Sequence, residues 1–398
     1  MRFTRVLRSF LGDERGQALA FIAVALVPML AMSGLAIDLG RGFVTRSHLS
    51  RAIDAACLAA ARAIRQGETL AEQEAWAVAA ANGVRSGVDG VTLTLDFGTT
   101  EDGEYTVAMT ARKSVPTLLM KVLGYNTLDV ATAAEATVPP LDIVLVLDRS
   151  GSLGQQSAWR PLQDAASDFV LRFSDDIDQM GLVSFQIRAE KEIQMDFGFK
   201  TSVTSAITRL NSVGDTNTGE GLSLAFQQLQ SATVREAAEK VVVFFTDGRP
   251  TAFRASIGGQ DRIMAVPTGQ SSRVRGLFDN PGTLPMNHLA NPDDCHNALS
   301  CYGYDVDSAR NQARQNGIAS ADQIRAQGIH IFTIALGNPH AHDPLHTPDL
   351  DYLELIANVD GRADPAQPKG RSYFAPTASD LDDVFNQLAS ELLVRLSR

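Results

Sequence analysis

The chain has 398 residues and a formal net charge of −11, from 46 acidic and 35 basic side chains. Apolar residues make up 44% and charged residues 20%, ordinary globular values that exclude wholesale disorder. The acidic balance disfavours nucleic-acid binding, which rests on cations at phosphates, and 3 cysteines are too few for a disulfide-built scaffold.

Residues 18–37 (ALAFIAVALVPMLAMSGLAI) carry no charge. Twenty residues rising about 1.5 Å each cover about 30 Å, one hydrocarbon core. Arg2, Arg5, Arg8 and Arg15 lie upstream, offset by Asp13 and Glu14; the first charges downstream are Asp38, Arg41 and Arg46. That arginine excess orients the N-terminus inward and the remainder outward. Pro28 is tolerated in a membrane helix. A cleaved signal peptide ending near Gly34-Leu35-Ala36 and a buried core helix are the competing readings. The run is longer than a usual signal-peptide core, so a retained single-pass anchor is expected.

Leu49, Ile53, Cys57, Ala60 and Ile64 then recur at helical spacing, with Arg46, Arg51, Asp54, Arg62 and Arg65 between them. A membrane helix running on into an amphipathic, alanine-rich helix is a pilin-like layout. Cys57 falls on the apolar side and reads as a buried thiol.

After Gly67 the period changes. Val91, Leu93, Leu95 and Phe97 alternate with polar residues, as do Tyr105, Val107 and Met109 and the stretch from Leu128 to Val138. These are half-buried strands. Residues 115–124 (VPTLLMKVLG) suggest a short helix. Pro139-Pro140 marks a boundary.

From Leu141 four apolar runs appear, at 142–148, 180–185, 241–247 and 329–337. Continuous apolar runs suit strands buried on both faces of a parallel sheet. Helical stretches at about 157–173, 202–211, 219–231, 306–327 and 349–358 separate or follow them. A final amphipathic helix runs from Ser379 to Leu396, with Ser379 and Asp382 as its start signal. The pattern gives an α/β fold class: an N-terminal transmembrane helix, a small α+β region, then a doubly wound, Rossmann-like domain. The expected domains are 1–66 (cytoplasmic tail, anchor and amphipathic helix), 67–140 (small α+β region) and 141–398. Residues 250–305 interrupt the last of these without strong periodicity and read as a functional loop excursion or partly disordered segment.

Asp148, Ser150 and Ser152 lie in LDRSGS, directly after the first apolar run, and Asp247 lies in FFTDG after another. Both carboxylates therefore fall at strand C-terminal ends, where open α/β sheets bind ligands. GDTNTGEGL places Thr216 just before a helix, with Thr218 and Glu220 as neighbours in its first turn. Two carboxylates and three hydroxyls make an all-oxygen donor set. Such a set suits Mg²⁺, with Mn²⁺ or Ca²⁺ as alternatives. The set leaves a position for an outside ligand, naturally an acidic group from a partner. Taken alone, an Asp-x-Ser-x-Ser string can also be a self-capped turn.

The DRSGS, DTNTG and FTDG segments, in this order and on these strands, resemble a von Willebrand factor A (vWA) domain. The resemblance implies a metal-ion-dependent adhesion site with Asp148, Ser150, Ser152, Thr216 and Asp247 at the five ligand positions. The N-terminal segments RGQALAFIAVALVPMLAMSGLAIDLGR and RSHLSRAIDAACLAAARA are similar to TadG-like proteins of Tad (Flp) pilus systems, which join such an anchor to a vWA domain. VPTLLMKVLGYNTLDVATAAEATV also looks like their middle region. The smaller pseudopilins of these systems carry a glutamate five residues after the processing-site glycine; here Gly16 is followed at that position by Phe21. The implied function is pilus assembly or adhesion from the bacterial inner membrane, with the C-terminal domain periplasmic or surface-facing. The implied partner is a protein, a pilus or envelope component supplying an acidic residue. The alternatives are a structural pseudopilin-like subunit with the vWA domain as spacer or tip and, behind it, a metal-dependent hydrolase. No general base or nucleophile stands out for the last, so no enzyme is expected.

Two weaker clusters remain. Cys295 and Cys301 suit a disulfide in an exported segment, with zinc binding through His296 as the alternative. His340, His342, Asp343 and His346 read as a polar loop near the same sheet edge, with a zinc site through imidazole and carboxylate as the alternative.

Overall fold

The computed structural model describes residues 14–395, apart from 102, 232–234, 236, 258, 267–275, 280–298, 300–302 and 338–346. The cysteine pair 295 and 301, and the histidine cluster at 340–346, lie outside the described residues. Two compact units emerge: one takes the chain up to Gly98 together with Thr106–Thr137, the other Thr99–Tyr105 together with Val138 onward.

The first unit is built on α1 (Glu14–Ala63), 50 residues of unbroken helix that include Pro28. Phe21, Ile22, Val24, Val27, Met29, Leu30 and Met32 are all exposed, so the charge-free run is not a core helix. Among the described residues this is the one helix long and apolar enough to cross a membrane. Further along, Leu49, Ile53, Cys57, Ala60 and Ile64 are buried, as their spacing predicts. Helix α2 (Glu68–Ala81) follows, with Ala71, Ala75 and Ala79 buried. Strands β1 (Val91–Thr99), β2 (Tyr105–Pro116) and β3 (Thr127–Val138) form one sheet in that order. The thiol of Cys57 donates to the Val107 carbonyl at 2.9 Å, tying α1 to β2. Residues 115–124 differ from the expected helix. Val115 and Pro116 finish β2, and only Met120–Leu123 forms a 3-10 turn. Gly124, at φ 92°, ends that turn in the left-handed conformation that favours glycine.

The second unit centres on a six-stranded sheet. Its members are β4 (Leu141–Asp148), β5 (Gln179–Phe185), β6 (Ala189–Asp196), β7 (Glu239–Thr246), β11 (His330–Leu336) and β12 (Ser372–Ala375). The spatial order is β12-β11-β7-β4-β5-β6. All neighbours are parallel except β6, an antiparallel edge on β5. Around it stand α3 (Gly151–Gln155), α4 (Trp159–Leu171), α5 (Phe199–Arg209), α6 (Thr218–Ser231), α7 (Val306–Ala326), α8 (Leu350–Ala357) and α9 (Leu381–Arg395).

The apolar runs are explained by two cores, one per face. Leu141, Ile143, Leu145 and Leu147 pack with Leu162, Phe169, Val203, Ile207, Phe385 and Leu388. Val144 and Val146 point the other way, to Leu222, Leu229, Ile324, Tyr352 and Leu353. Each strand residue therefore meets a helix, whichever face it takes. At the N-terminal end of β4, Arg235 donates to Asp142 Oδ1 at 3.0 Å and to the Ile177 carbonyl at 2.6 Å.

Two expectations change. The segment after Pro250 contains a second sheet, β8 (Ala252–Ile257), β9 (Gln260–Ala265) and β10 (Gly276–Asp279), paired antiparallel in the order β10-β9-β8. Its strands span four to six residues, and both sides are covered. Phe253, Met264 and Leu277 pack with Ala309 and Ala313 of α7, whereas Ile263 packs with Ala252 and Ile187. Short strands buried on both sides show neither period. The chain also enters the last helix differently: Thr377 and Asp380, in place of Ser379 and Asp382, form a capping box on a 3-10 turn (Ala378–Asp380) that leads into α9.

Candidate metal centre

Asp148 is the last residue of β4, and its carboxylate is committed to its own turn and to the neighbouring strand. Oδ1 accepts the Ser150 N–H at 2.8 Å, and Oδ2 accepts the Thr246 hydroxyl at 2.6 Å. The self-capped turn is therefore real, but it leaves the serine hydroxyls free to face elsewhere. Ser150 precedes α3 without capping it through its side chain. Its Oγ lies 3.0 Å from Ser152 Oγ and donates to Asp247 Oδ1 at 3.4 Å. Ser152 donates to the same Oδ1 at 2.9 Å, and Gln156 Nε2 donates to Asp247 Oδ2 at 2.8 Å.

The loop carrying Thr216 is fastened to both of the others. Gly151 N–H donates to the Gly214 carbonyl at 3.0 Å, Val213 N–H to the Arg149 carbonyl at 2.6 Å, and Ser212 Oγ to the Ser150 carbonyl at 2.6 Å. On the far side, Thr216 N–H donates to Thr251 Oγ at 2.9 Å, and its carbonyl accepts the Thr251 and Ala252 N–H groups at 2.8 and 3.1 Å. Asn217 caps α6, accepting the Glu220 N–H at 3.3 Å, and donates to the Ile187 carbonyl at 2.9 Å. The structure thus brings the loops bearing Asp148, Ser150, Ser152, Thr216 and Asp247 to one edge of the sheet. Thr218 is buried, and Glu220 turns away to pair with Arg254, its Oε2 accepting from Nη2 at 2.7 Å.

Electrostatically the site brings two carboxyl groups together away from water. Asp148 and Asp247 are both 0% exposed. Burial raises both carboxyls above the ordinary carboxylate range, and for Asp247 the neighbouring Asp148 charge adds to it. Arg149, next to Asp148 in the chain, is engaged elsewhere: it pairs with Glu190 at 3.0 Å and donates to Ser184 at 3.1 Å. Two buried carboxylates without a basic partner among the described residues call for a cation. Hydroxyl and carboxylate oxygens suit a hard divalent ion, so the residues present fit one.

Sequence reasoning missed three participants. Thr246 stands beside Asp247 in FFTDG, and its position opposite Asp148 follows from the parallel register of β4 and β7, in which Leu147 pairs with Phe245. Ser212 and Gln156 carry no signal in the sequence; only the loop geometry recruits them.

Comparison with known proteins bears on both units. Residues 143–249 match the family model of the von Willebrand factor type A domain. Residues 16–63 match the model described as putative Flp pilus-assembly TadE/G-like. Among solved structures, the chain is similar to the vWF domain of the type V pili tip protein Mfa5 from Porphyromonas gingivalis (17% identity, 66% of this chain, 98% of that chain, TM-score 0.45). It is similar to the PilB minor pilin from Streptococcus sanguinis (16% identity, 78% of this chain, 80% of that chain, TM-score 0.45). It is also similar to proximal thread matrix protein 1 from the mussel byssus (16% identity, 64% of this chain, TM-score 0.39), of whose length it spans 47%. A search of the curated proteins gave no match.

Proposed function

We propose that this chain, which joins a TadE/G-like segment to a von Willebrand factor A domain, is a membrane-anchored pilus-assembly or adhesion protein of Tad/Flp type. Residues 18–37 hold it in the inner membrane, and the vWA domain faces the periplasm or the cell surface. It grips a protein partner through a divalent ion, Mg²⁺ or else Mn²⁺ or Ca²⁺. Asp148, Ser150, Ser152, Thr216 and Asp247 would hold that ion, and an acidic side chain of a pilus or envelope component would complete the set. The chain acts in this reading as a binding module rather than an enzyme.

The observation that carries the reading is the shared oxygen cluster. Both serine hydroxyls converge on Asp247 Oδ1, beside a second buried carboxylate, Asp148. Bound there, the ion would supply positive charge to both carboxylates and an open coordination position to the partner.

Calorimetric titration of Mg²⁺ and Mn²⁺ into the detergent-solubilised full chain tests the ion. Saturable binding that Asp148→Ala abolishes is the expected result; binding unaffected by that substitution would place the ion elsewhere. Piliation and partner capture with and without chelator then test the function. Unchanged piliation in Asp148→Ala cells would defeat the metal-dependent part and leave the structural-subunit reading.

A further inference from the structure

We infer that the turn at residues 117–125 is a lipid-facing element, seated in the interfacial layer of the bilayer beside α1; this rests on reading residues 18–37 as the membrane span.

The turn is fixed to the helix where the charge-free run ends. Asp38, the first charge after that run, is buried although it sits on a largely exposed helix. Its Oδ1 accepts the Leu118 N–H at 2.8 Å, and its Oδ2 accepts the Leu119 and Met120 N–H groups at 2.9 and 2.8 Å. Arg41 Nη1 donates to the Pro116 carbonyl at 3.0 Å, one turn further along. One turn back, inside the apolar run, a Cβ on Gly34 would stand 2.7 Å from Leu119 Cβ, so glycine lets the turn lie directly on the helix. Thr117 closes the turn, its N–H donating to the Asn126 carbonyl at 3.0 Å and its hydroxyl to the Tyr125 carbonyl at 2.5 Å.

This latched turn presents apolar side chains outward. Leu118, Leu119 and Tyr125 are exposed, and Val122 is 81% exposed. Leu35, Ile37, Leu39, Phe43 and Val44 of α1 are exposed as well. The apolar surface of the helix therefore continues seven residues past Ile37, about 10 Å at 1.5 Å per residue. That is about the depth, 5–10 Å, to which interfacial elements sink at the headgroup boundary.

The chemistry of the turn fits that layer. Tyr125 has an apolar ring and a polar tip, and Lys121 can bury its stem while its ammonium reaches anionic headgroups. Backbone N–H groups entering a layer poor in water need partners, and Asp38 supplies them for three consecutive residues. The continuity of this surface with the charge-free run selects the bilayer as its occupant.

The test uses the full chain in vesicles of phosphatidylcholine and phosphatidylglycerol, with a fluorescent amino acid incorporated in turn at positions 27, 58 and 122. Some vesicles carry lipids brominated near the glycerol end of the acyl chains, others near the methyl end. The label at 122 is expected to be quenched about twofold or more by the shallow bromines, and the label at 27 by the deep ones. The label at 58, twenty residues and about 30 Å beyond Asp38 on α1, stays unquenched. Quenching at 27 without quenching at 122 would overturn the lipid-facing turn and leave the anchor standing; a protein covering the turn would give that outcome. No quenching at 27 would overturn both. Asp38→Ala is expected to lower quenching at 122 while leaving 27 unchanged, and equal quenching would overturn the role of the carboxylate as latch.

Discussion

The hydroxyl of Ser152 donates to Oδ1 of Asp247 across 2.9 Å, although the two residues stand 95 positions apart in the chain. The contact joins the turn after β4 to the end of β7, and it makes Asp247 the hub of the candidate site. Asp247→Asn keeps an oxygen where the serines donate, but removes the charge. The fold is expected to survive, and Mg²⁺ affinity to fall by about tenfold or more, since a hard divalent ion needs the anionic oxygen. Titration calorimetry beside a thermal melt separates the two effects.

Proton release follows from the same pair. Both carboxyls are raised above their ordinary value of 3.8 in the folded state, first by burial and, for Asp247, also by Asp148. An ion that needs them deprotonated must displace protons on binding at mildly acidic pH. Calorimetry in buffers of different ionisation enthalpy at pH 6 should show proton release, diminishing as the pH is raised.

Without the ion, stability should move the opposite way from that of a salt-bridged carboxylate. A group whose folded value lies above its unfolded one binds more protons when folded. Its stabilising contribution is complete below the unfolded value and is lost as pH rises through the folded one. Melts in chelator should therefore show a lower Tm at pH 8 than at pH 5 for this contribution, with Asp148→Asn flattening the difference and Mg²⁺ restoring stability at pH 8.

Gly370 offers a test of packing away from the site. A Cβ there would stand 1.7 Å from the Ile331 carbonyl oxygen and 2.8 Å from that of Ala357. Both are backbone atoms and cannot swing aside. Gly370→Ala is expected to cost about 3 kcal/mol in urea unfolding, with the ion affinity of the folded fraction unchanged.

Asn358 organises the neighbouring loop. It is buried at φ 54°; its side chain accepts the Ala363 and Asp364 N–H groups at 2.9 and 3.1 Å and donates to the Asp364 carbonyl at 2.7 Å. Asn358→Ala strands these groups and places a residue poorly suited to the left-handed region. A loss of about 3 kcal/mol is expected, measured by denaturant melts.

The parallel strands were legible because each apolar run is buried on both faces, and Leu145 beside Val146 serves two cores at once. The five candidate donors were legible because they cluster in three short strings at strand or helix ends. Other features left weaker traces. The edge strand β6 carries Glu190, Lys191, Glu192 and Gln194, and its polarity hid it. The latch at Asp38 was equally hidden: a lone aspartate after an apolar run reads as a solvated charge until its three backbone donors, some 80 residues away, come into view.

The position of β4 has a mechanical consequence. The chain enters this strand at Leu141, and the oxygen cluster begins at its other end, Asp148. Tension between the preceding polypeptide and anything held at the cluster runs along the strand axis. β4 lies in the interior of the sheet, paired in parallel with β5 from Asp142 to Asp148 and with β7 from Leu141 to Leu147. Such a pull loads both ladders in shear, so their hydrogen bonds resist together instead of opening one after another.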